Sequence, residues 1–179
     1  MSVTILTTII VAEASVEDTN AAVAAAKAAF PAWSALSPQE RGKPLLKLAQ
    51  LIRAKSNEFA KLEALSMGRP VSGYFDAYAA ADHFDHYSNA GFDVQTLGTA
   101  SVNTPGYLNM TLRQPYGVVA GIIPWNVPLL FFAGKSAPAL IAGNTVVIKS
   151  SEKAPLTVSK YSVGATLQMN PLLINREVR

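Results

Sequence analysis

The stretch "GVVAGIIPWNVPLLFFAGKSAPALIAGNTVVIKSSE", residues 117–152, decides the fold. Its β-branched beginning predicts a strand at about 116–123, and a helical pattern follows over about 128–141, with Gly143 after its end. The run "NTVVIK" is typical of a buried parallel strand, and another helix is expected to start near Pro155. The stretch therefore predicts a β-α-β-α unit, in which a right-handed crossover joins two parallel strands.

Composition excludes several function classes. The chain has 179 residues, 50% of them hydrophobic, a net charge of +3 and no cysteine. The absence of cysteine excludes disulfides, thiolate metal sites and cysteine nucleophiles within the chain. The scattered basic residues lack the stripe that nucleic-acid binding needs. No run reaches the ~18 apolar residues of a membrane span, so we expect a cytoplasmic protein that binds neither nucleic acid nor membrane.

Helical patterns fill the part of the chain that precedes this unit. Ser15 and Asp18 form a capping-box pattern, which predicts a helix that ends at Phe30 because Pro31 follows. The stretch "SPQERGKPLLKLAQLIRAKSNEFAKLEALSMG" repeats apolar residues with helical spacing and predicts one long helix that ends at Gly68.

Two further elements complete the expected organisation of this first part. The stretch "SGYFDAYAAADHFDHYSNAGF" predicts a third helix, and "YLNMTLR" predicts a strand at about 107–113. The third helix carries His83 and His86 beside two aspartates. This pattern could bind a metal ion, but a solvated helix face explains it more simply, and we expect no metal.

Polar side chains follow each strand of the β-α-β unit at the edge where open α/β sheets bind ligands. Asn126 could donate its amide N–H to a developing oxyanion, or it could cap the helix that follows. Lys149 and Glu152 could bind sugar hydroxyls, or they could form a loop ion pair with Ser151 as a helix cap. Lys135, taken alone, is an ordinary solvated helix residue.

Longer motifs give the chain a family resemblance. "IIPWNVPLL", followed by "GKSAPALIAGNTVVIKSSEKAPLT", resembles the N-terminal part of the aldehyde dehydrogenase superfamily. The segments "FPAWSALSPQERGKPLLKLAQLI" and "GYLNMTLRQPYGVV" are also similar to that family. The resemblance covers about residues 12–160, and the sequence is most similar in general character to fungal NAD(P)-dependent members.

The resemblance implies roles for individual residues. Asn126 matches the asparagine of the oxyanion hole, and Lys135 matches a lysine assigned to charge relay. Lys149 and Glu152 match the pair that binds the adenosine ribose hydroxyls. The full cofactor-binding set that it implies is Ile122, Ile123, Pro124, Trp125, Asn126, Lys149, Ser150, Ser151 and Glu152. The implied cofactor is NAD, with NADP as the alternative, and the implied substrate is an aldehyde.

The fold class implied by the resemblance is α/β, as an incomplete aldehyde-dehydrogenase-like fold in a single truncated domain. Residues 12–100 would form its helical N-terminal part, residues 101–160 a partial Rossmann-like NAD(P)-binding part, and residues 161–179 a divergent tail. The usual Gly-x-Gly-x-x-Gly fingerprint is absent. The divergent ends fit a truncated gene product or an incomplete gene model.

The expected function follows from what the family reaction requires. It needs a nucleophilic cysteine and a glutamate that lie beyond position 179 in family members, so we expect this chain to be inactive alone. The alternative is a non-catalytic decoy protomer that associates with full-length relatives. A homo-oligomer is expected, or association through an exposed sheet edge, since the "NTVVIK" strand would lack a neighbour on one side.

Overall fold

The computed structural model describes residues 13–90, 113–158 and 172–174. Helices come first, and short strands alternate with a helix in the second half. In chain order the elements are α1 (Val16–Ser34), α2 (Pro38–Ala54), α3 (Ser56–Met67), α4 (Asp76–Ala90), β1 (Val118–Ile122), α5 (Pro128–Ile141), β2 (Thr145–Lys149) and β3 (Leu172–Ile174).

Helix α1 begins as predicted and ends later than predicted. The Ser15 side chain accepts a hydrogen bond from the Asp18 N–H, and the Asp18 carboxylate accepts one from the Ser15 N–H, which completes the capping box. The predicted stop at Pro31 is wrong, because the helix continues to Ser34 with Pro31 inside it. Trp33 explains the extension: its ring is buried, and its Nε1 donates to the Leu140 carbonyl at 3.0 Å.

The predicted long helix is two helices. Lys55 leaves helical geometry between α2 and α3, although the apolar spacing continues across it. Gly68 ends α3 as expected, with a φ of 75° that favours glycine. Helix α4 corresponds to the predicted third helix.

Helix α4 lies between α2 and α5. A Cβ built on Gly42 of α2 would lie 2.2 Å from the Ser88 carbonyl oxygen of α4, so only glycine permits this approach. On its other side, the Phe84 ring packs against Phe132 of α5 with centroids 5.9 Å apart. These contacts fix α5, and therefore its N-terminus, against the helical part of the chain.

Among the residues that the structure describes, the sheet has three parallel strands in the order β1-β2-β3. The β-α-β unit that residues 117–152 predict is therefore confirmed, and α5 has the predicted bounds. The prediction that "NTVVIK" keeps an unpaired edge is wrong, because β2 is hydrogen-bonded to β1 on one side and to β3 on the other. The third strand lies in the tail for which the sequence predicted no strand.

Helix α1 and the end of α5 meet at the edge where the strands begin. Thr145 Oγ1 donates to the Ala26 carbonyl at 3.0 Å, which ties β2 to α1. The Arg41 guanidinium donates to the Ile141 carbonyl at 3.0 Å and also contacts the Leu36 carbonyl. A buried cation thus satisfies carbonyls at the C-terminal end of α5 and after α1, where helix dipoles favour positive charge.

Some predictions fall outside the described residues. They include most of the strand at 107–113, the first twelve residues and most of the tail at 161–179. No helix in the described ranges is both long and apolar enough to cross a bilayer.

Candidate functional site

Strands β1 and β2 end side by side, which forms one edge of the candidate site. Ile122 is in register with Lys149, and the Ile123 N–H donates to the Lys149 carbonyl at 2.9 Å. The segments that follow these strands therefore leave the sheet at neighbouring points. The two sets of polar residues that the sequence placed at the carboxyl edge lie on these neighbouring segments.

Lys149 and Glu152 form an ion pair at this edge. Lys149 Nζ lies 3.1 Å from Glu152 Oε2, and the side chains are 62% and 66% exposed. A hydrogen bond from its own backbone N–H and the Lys149 ammonium lower the pKa of Glu152, so the carboxylate is charged at neutral pH. Because exposed ion pairs contribute little to stability, the pair can exchange its contact for a ligand at small cost.

Ser150 and Ser151 connect these two charged residues. Ser150 is half-buried, whereas Ser151 is buried and its Oγ accepts a hydrogen bond from the Lys153 N–H at 3.2 Å. The alternative that Ser151 caps the next helix is wrong, because helical residues begin only at Leu156. Ser151 stabilises the turn that presents Glu152 instead.

Asn126 lies in the segment that joins β1 to α5. The residue is exposed, and its side chain makes no hydrogen bond to any residue in the described ranges. The helix-cap alternative is wrong, because Val127 occupies the N-cap position of α5 and no side chain caps that helix. The Asn126 amide is therefore free to donate to a ligand at the start of α5.

The four residues before Asn126 divide into a buried anchor and an exposed apolar rim. Ile123 is only 2% exposed and belongs to the core, and Pro124 is half-buried. Ile122 and Trp125 are 69% and 53% exposed, a large exposure for such apolar side chains. These two side chains offer exposed apolar surface, and Ile122 offers it next to Lys149, whereas the Ile123 side chain is buried in the core.

Lys135 lies farther along α5, over Gly121 near the carboxyl end of β1. A Cβ built on Gly121 would lie 3.6 Å from Lys135 Cβ and 2.5 Å from Ile148 Cδ1, so the missing side chain lets both residues pack there. Lys135 is exposed and forms no ion pair within the described ranges. No described contact joins it to Asn126, and its role in charge relay stays a prediction.

The sequence interpretation missed a cluster of charged residues beneath Asn126. Arg69 Nη1 donates to the Asn126 backbone carbonyl at 3.4 Å. The same guanidinium pairs with Asp76, which has a fully buried side chain, and Glu63 is fully buried nearby. The sequence did contain a signal for this cluster: Arg69 lies between Gly68 and Pro70, and Asp76 follows at the start of the next helix. In the described ranges no group of three or more residues has metal-ligand geometry.

Comparison with known proteins agrees with this arrangement. Residues 4–165 match the family model described as "Aldehyde dehydrogenase family", a few residues beyond the expected 12–160 at both ends. Vanillin dehydrogenase of Pseudomonas sp. (strain HR199) is 45% identical over 148 residues, which cover 82% of this chain and 30% of the relative. Aldehyde dehydrogenase of Aspergillus niger is 40% identical over 149 residues, covering 81% of this chain and 29% of the relative.

Solved structures give the same result. The crystal structure of PnpE in complex with nicotinamide adenine dinucleotide superposes with a TM-score of 0.81 at 42% identity, covering 89% of this chain and 33% of that one. The chain thus spans about 30% of the length of the curated relatives named above. Sequence and fold lead to one conclusion: the chain belongs to the aldehyde dehydrogenase family.

Proposed function

We propose that this chain supplies a nicotinamide-cofactor edge and an oxyanion-stabilising amide for the oxidation of an aldehyde to a carboxylic acid. The observation that carries the proposal is the adjacent ending of β1 and β2. It places the segment that carries Asn126 beside the exposed Lys149–Glu152 pair. The carboxyl edge of an open parallel sheet is where α/β folds bind such ligands.

The residues at this edge fit a dinucleotide in their chemistry. Glu152 can accept hydrogen bonds from vicinal ribose hydroxyls, and Lys149 can donate to their oxygens. Ile122 and Trp125 can cover apolar ring faces, which would bury part of their exposed surface. When bound, the cofactor supplies the acceptor for hydride. The fit therefore supports NAD or NADP as the cofactor, with Ser150 and Ser151 as further members of its site.

Asn126 has the properties that an oxyanion-stabilising residue needs. A primary amide donates hydrogen bonds without gaining or losing a proton, so it can stabilise a tetrahedral oxyanion throughout the neutral pH range. Its position at the N-terminus of α5 adds the favourable field of the helix dipole. Lys135 remains a candidate for charge relay only by family resemblance.

The chain by itself is expected to bind and orient without completing the reaction. The family reaction begins with a thiolate attacking the aldehyde carbon, and this sequence has no cysteine. A homo-oligomer remains a prediction, as does a cytoplasmic location.

Cofactor selectivity gives the test of this proposal. We expect the chain to bind NAD with a dissociation constant of roughly 1 mM and about tenfold more tightly than NADP. The reason is that the Glu152 carboxylate accepts a hydrogen bond from a 2′-hydroxyl and repels a 2′-phosphate. Glu152→Gln should bring the two constants close together, as measured by calorimetric titration of both cofactors.

Glu17→Gln, an exposed change in the first turn of α1, serves as the matched control and should preserve the tenfold ratio. Equal affinities for NAD and NADP in the unsubstituted chain, unchanged in Glu152→Gln, would exclude this carboxylate from the cofactor site.

A further inference from the structure

Arg69 is held rigidly where α3 turns into α4. Its Nη1 lies 2.6 Å from Asp76 Oδ2, and its Nη2 donates to Asp76 Oδ1 at 2.8 Å. The rings of Tyr74 and Phe75 flank the guanidinium, with centroids 6.0 Å and 5.5 Å from Cζ. A bidentate carboxylate contact together with flanking rings restricts a guanidinium more than it would restrict a lysine.

The carbonyl of Asn126 accepts from this fixed guanidinium at 3.4 Å. Within the described ranges, this is the only hydrogen bond made by residues 124–126. The segment is anchored before it by the Ile123 N–H and after it by the first turn of α5. Arg69 is therefore the only described side chain that holds the middle of the segment by a hydrogen bond.

Glu63 supports the cluster from the interior. Its side chain is fully buried, and the Arg69 charge, together with the nearby Tyr74 hydroxyl and Leu129 N–H, partly offsets the effect of burial on its pKa. Neither Glu63 carboxyl oxygen has a hydrogen-bond partner among the residues that the structure describes. Glu63 and Asp76 thus place a carboxyl pair from α3 and α4 against the N-terminal turn of α5, next to the Asn126 segment.

We propose that Arg69 is a positioning residue that fixes the backbone of Asn126 and thereby limits where the Asn126 amide can lie. The catalytic use of that amide rests on the proposed function. The effect of Arg69 on the Asn126 backbone does not depend on it. Without Arg69, residues 124–126 would be free to rotate between their two anchors. The free-energy cost of ordering Asn126 would then add to the barrier for forming the oxyanion.

The test measures local order in the full chain without cofactor or substrate. In the unsubstituted chain we expect NMR order parameters of about 0.85 for the backbone N–H groups of Trp125 and Asn126. In Arg69→Met they should fall below about 0.6, because the hydrogen bond and the ion pair are lost. Arg69→Lys should lower them less than Arg69→Met, since an ammonium in the place of Nη1 can contact both Asp76 and the Asn126 carbonyl but loses the second contact to Asp76.

Arg53→Met is the matched control. Arg53 pairs with Asp82 and Asp85 between α2 and α4, so its loss removes a comparable ion-pair network away from Asn126. It should leave the order parameters of Trp125 and Asn126 unchanged. A purely structural Arg69 would lower thermal stability in Arg69→Met without a selective change at these two residues.

Two results would overturn the inference: mobile Trp125 and Asn126 in the unsubstituted chain, or rigid ones in both Arg69 variants. If the variants do not fold, the unsubstituted chain still provides the test. Its Arg69 Nη–H resonances should be in slow exchange. Rapidly averaged Nη–H resonances would overturn the inference. None of these results depends on NAD binding, so failure here is distinct from failure of the Glu152 selectivity test.

Discussion

Asn126→Ala is expected to lower kcat by about 10²- to 10³-fold in a complete aldehyde dehydrogenase whose own segment is replaced by residues 13–158 of this chain. The loss follows from removing one preorganised donor to the oxyanion, an interaction that strengthens as the tetrahedral intermediate forms. The Asn126 side chain has no hydrogen-bond partner within the described ranges, so its removal leaves no structural partner unsatisfied there.

The division between kcat and KM distinguishes this role from simple binding. A group that acts mainly in the transition state lowers kcat and kcat/KM together, whereas a binding group raises KM. Asn126→Asp, which keeps the shape and removes the N–H donors, should be at least as damaging as Asn126→Ala. Asn57→Ala on the exposed face of α3 is the control and should leave kcat unchanged. An unchanged kcat in Asn126→Ala would remove the residue from the oxyanion site.

The second large effect is a fall in stability as the pH rises toward neutrality. Burial, followed by the nearby Asp76 carboxylate, raises the pKa of Glu63 from 4.5 to about 7 in the folded chain. Arg69 and the nearby Tyr74 hydroxyl oppose this rise only in part. Between pH 4.5 and about 7, Glu63 therefore keeps its proton in the folded chain, whereas it has lost the proton in the unfolded chain.

The sign of the pH dependence follows directly. The stabilisation is fully present below pH 4.5 and is lost as the pH rises through about 7. For one fully buried carboxyl the loss is roughly 3 kcal/mol. Burial also raises the pKa of Asp76, which acts in the same direction. The capping carboxylates Asp18 and Glu40 have lowered pKa values, so the stability that they contribute is lost only as the pH falls into the acidic range.

Urea unfolding of the chain at a series of pH values between about 5 and 8 measures this effect. Glu63→Gln should remove most of the slope, because the amide cannot ionise, and should be more stable than the unsubstituted chain at the upper end. Glu17→Gln should keep the slope, since Glu17 is exposed. A slope that persists unchanged in Glu63→Gln would show that another group carries it.

The sequence predicted best where local pattern and tertiary packing agree. Helix α5 has its predicted bounds because Pro128 suits a first helical position and Gly143, with a φ of 92°, suits the turn after it. Strands β1 and β2 are rich in β-branched residues, and their register brings the expected polar residues to one edge. Local signals were sufficient at these positions.

Prediction failed where distant contacts override a local signal. Pro31 remains inside α1 because the Trp33 indole N–H bonds to Leu140, which is remote in sequence. Lys55 interrupts the helical pattern although the apolar spacing continues. The third strand pairs with β2 from a segment without a clear strand signal. The extension of α1 and the pairing of β3 depend on residues far away in the chain, whereas the break at Lys55 has no such contact among the described residues.

The candidate site shows the same division. The Lys149–Glu152 pair could be predicted because its members are close in sequence and follow one strand. The contact between Arg69 and Asn126 could not, because it joins residues 57 positions apart that belong to separate elements. Helical spacing from Phe59 and Ala60 places Glu63 on the buried face of α3, but its charged residue type predicts exposure to solvent, so its burial was not predicted.

Mapping NAD on the chain by NMR tests the central claim most directly. Backbone amide shifts are followed while NAD is added to roughly tenfold above the expected millimolar constant. The account predicts saturable shifts concentrated at residues 121–126 and 149–152, together with the side-chain amide of Asn126. Shifts concentrated elsewhere, or no saturable shift at that concentration, would contradict the assignment of the cofactor to the carboxyl edge of β1 and β2.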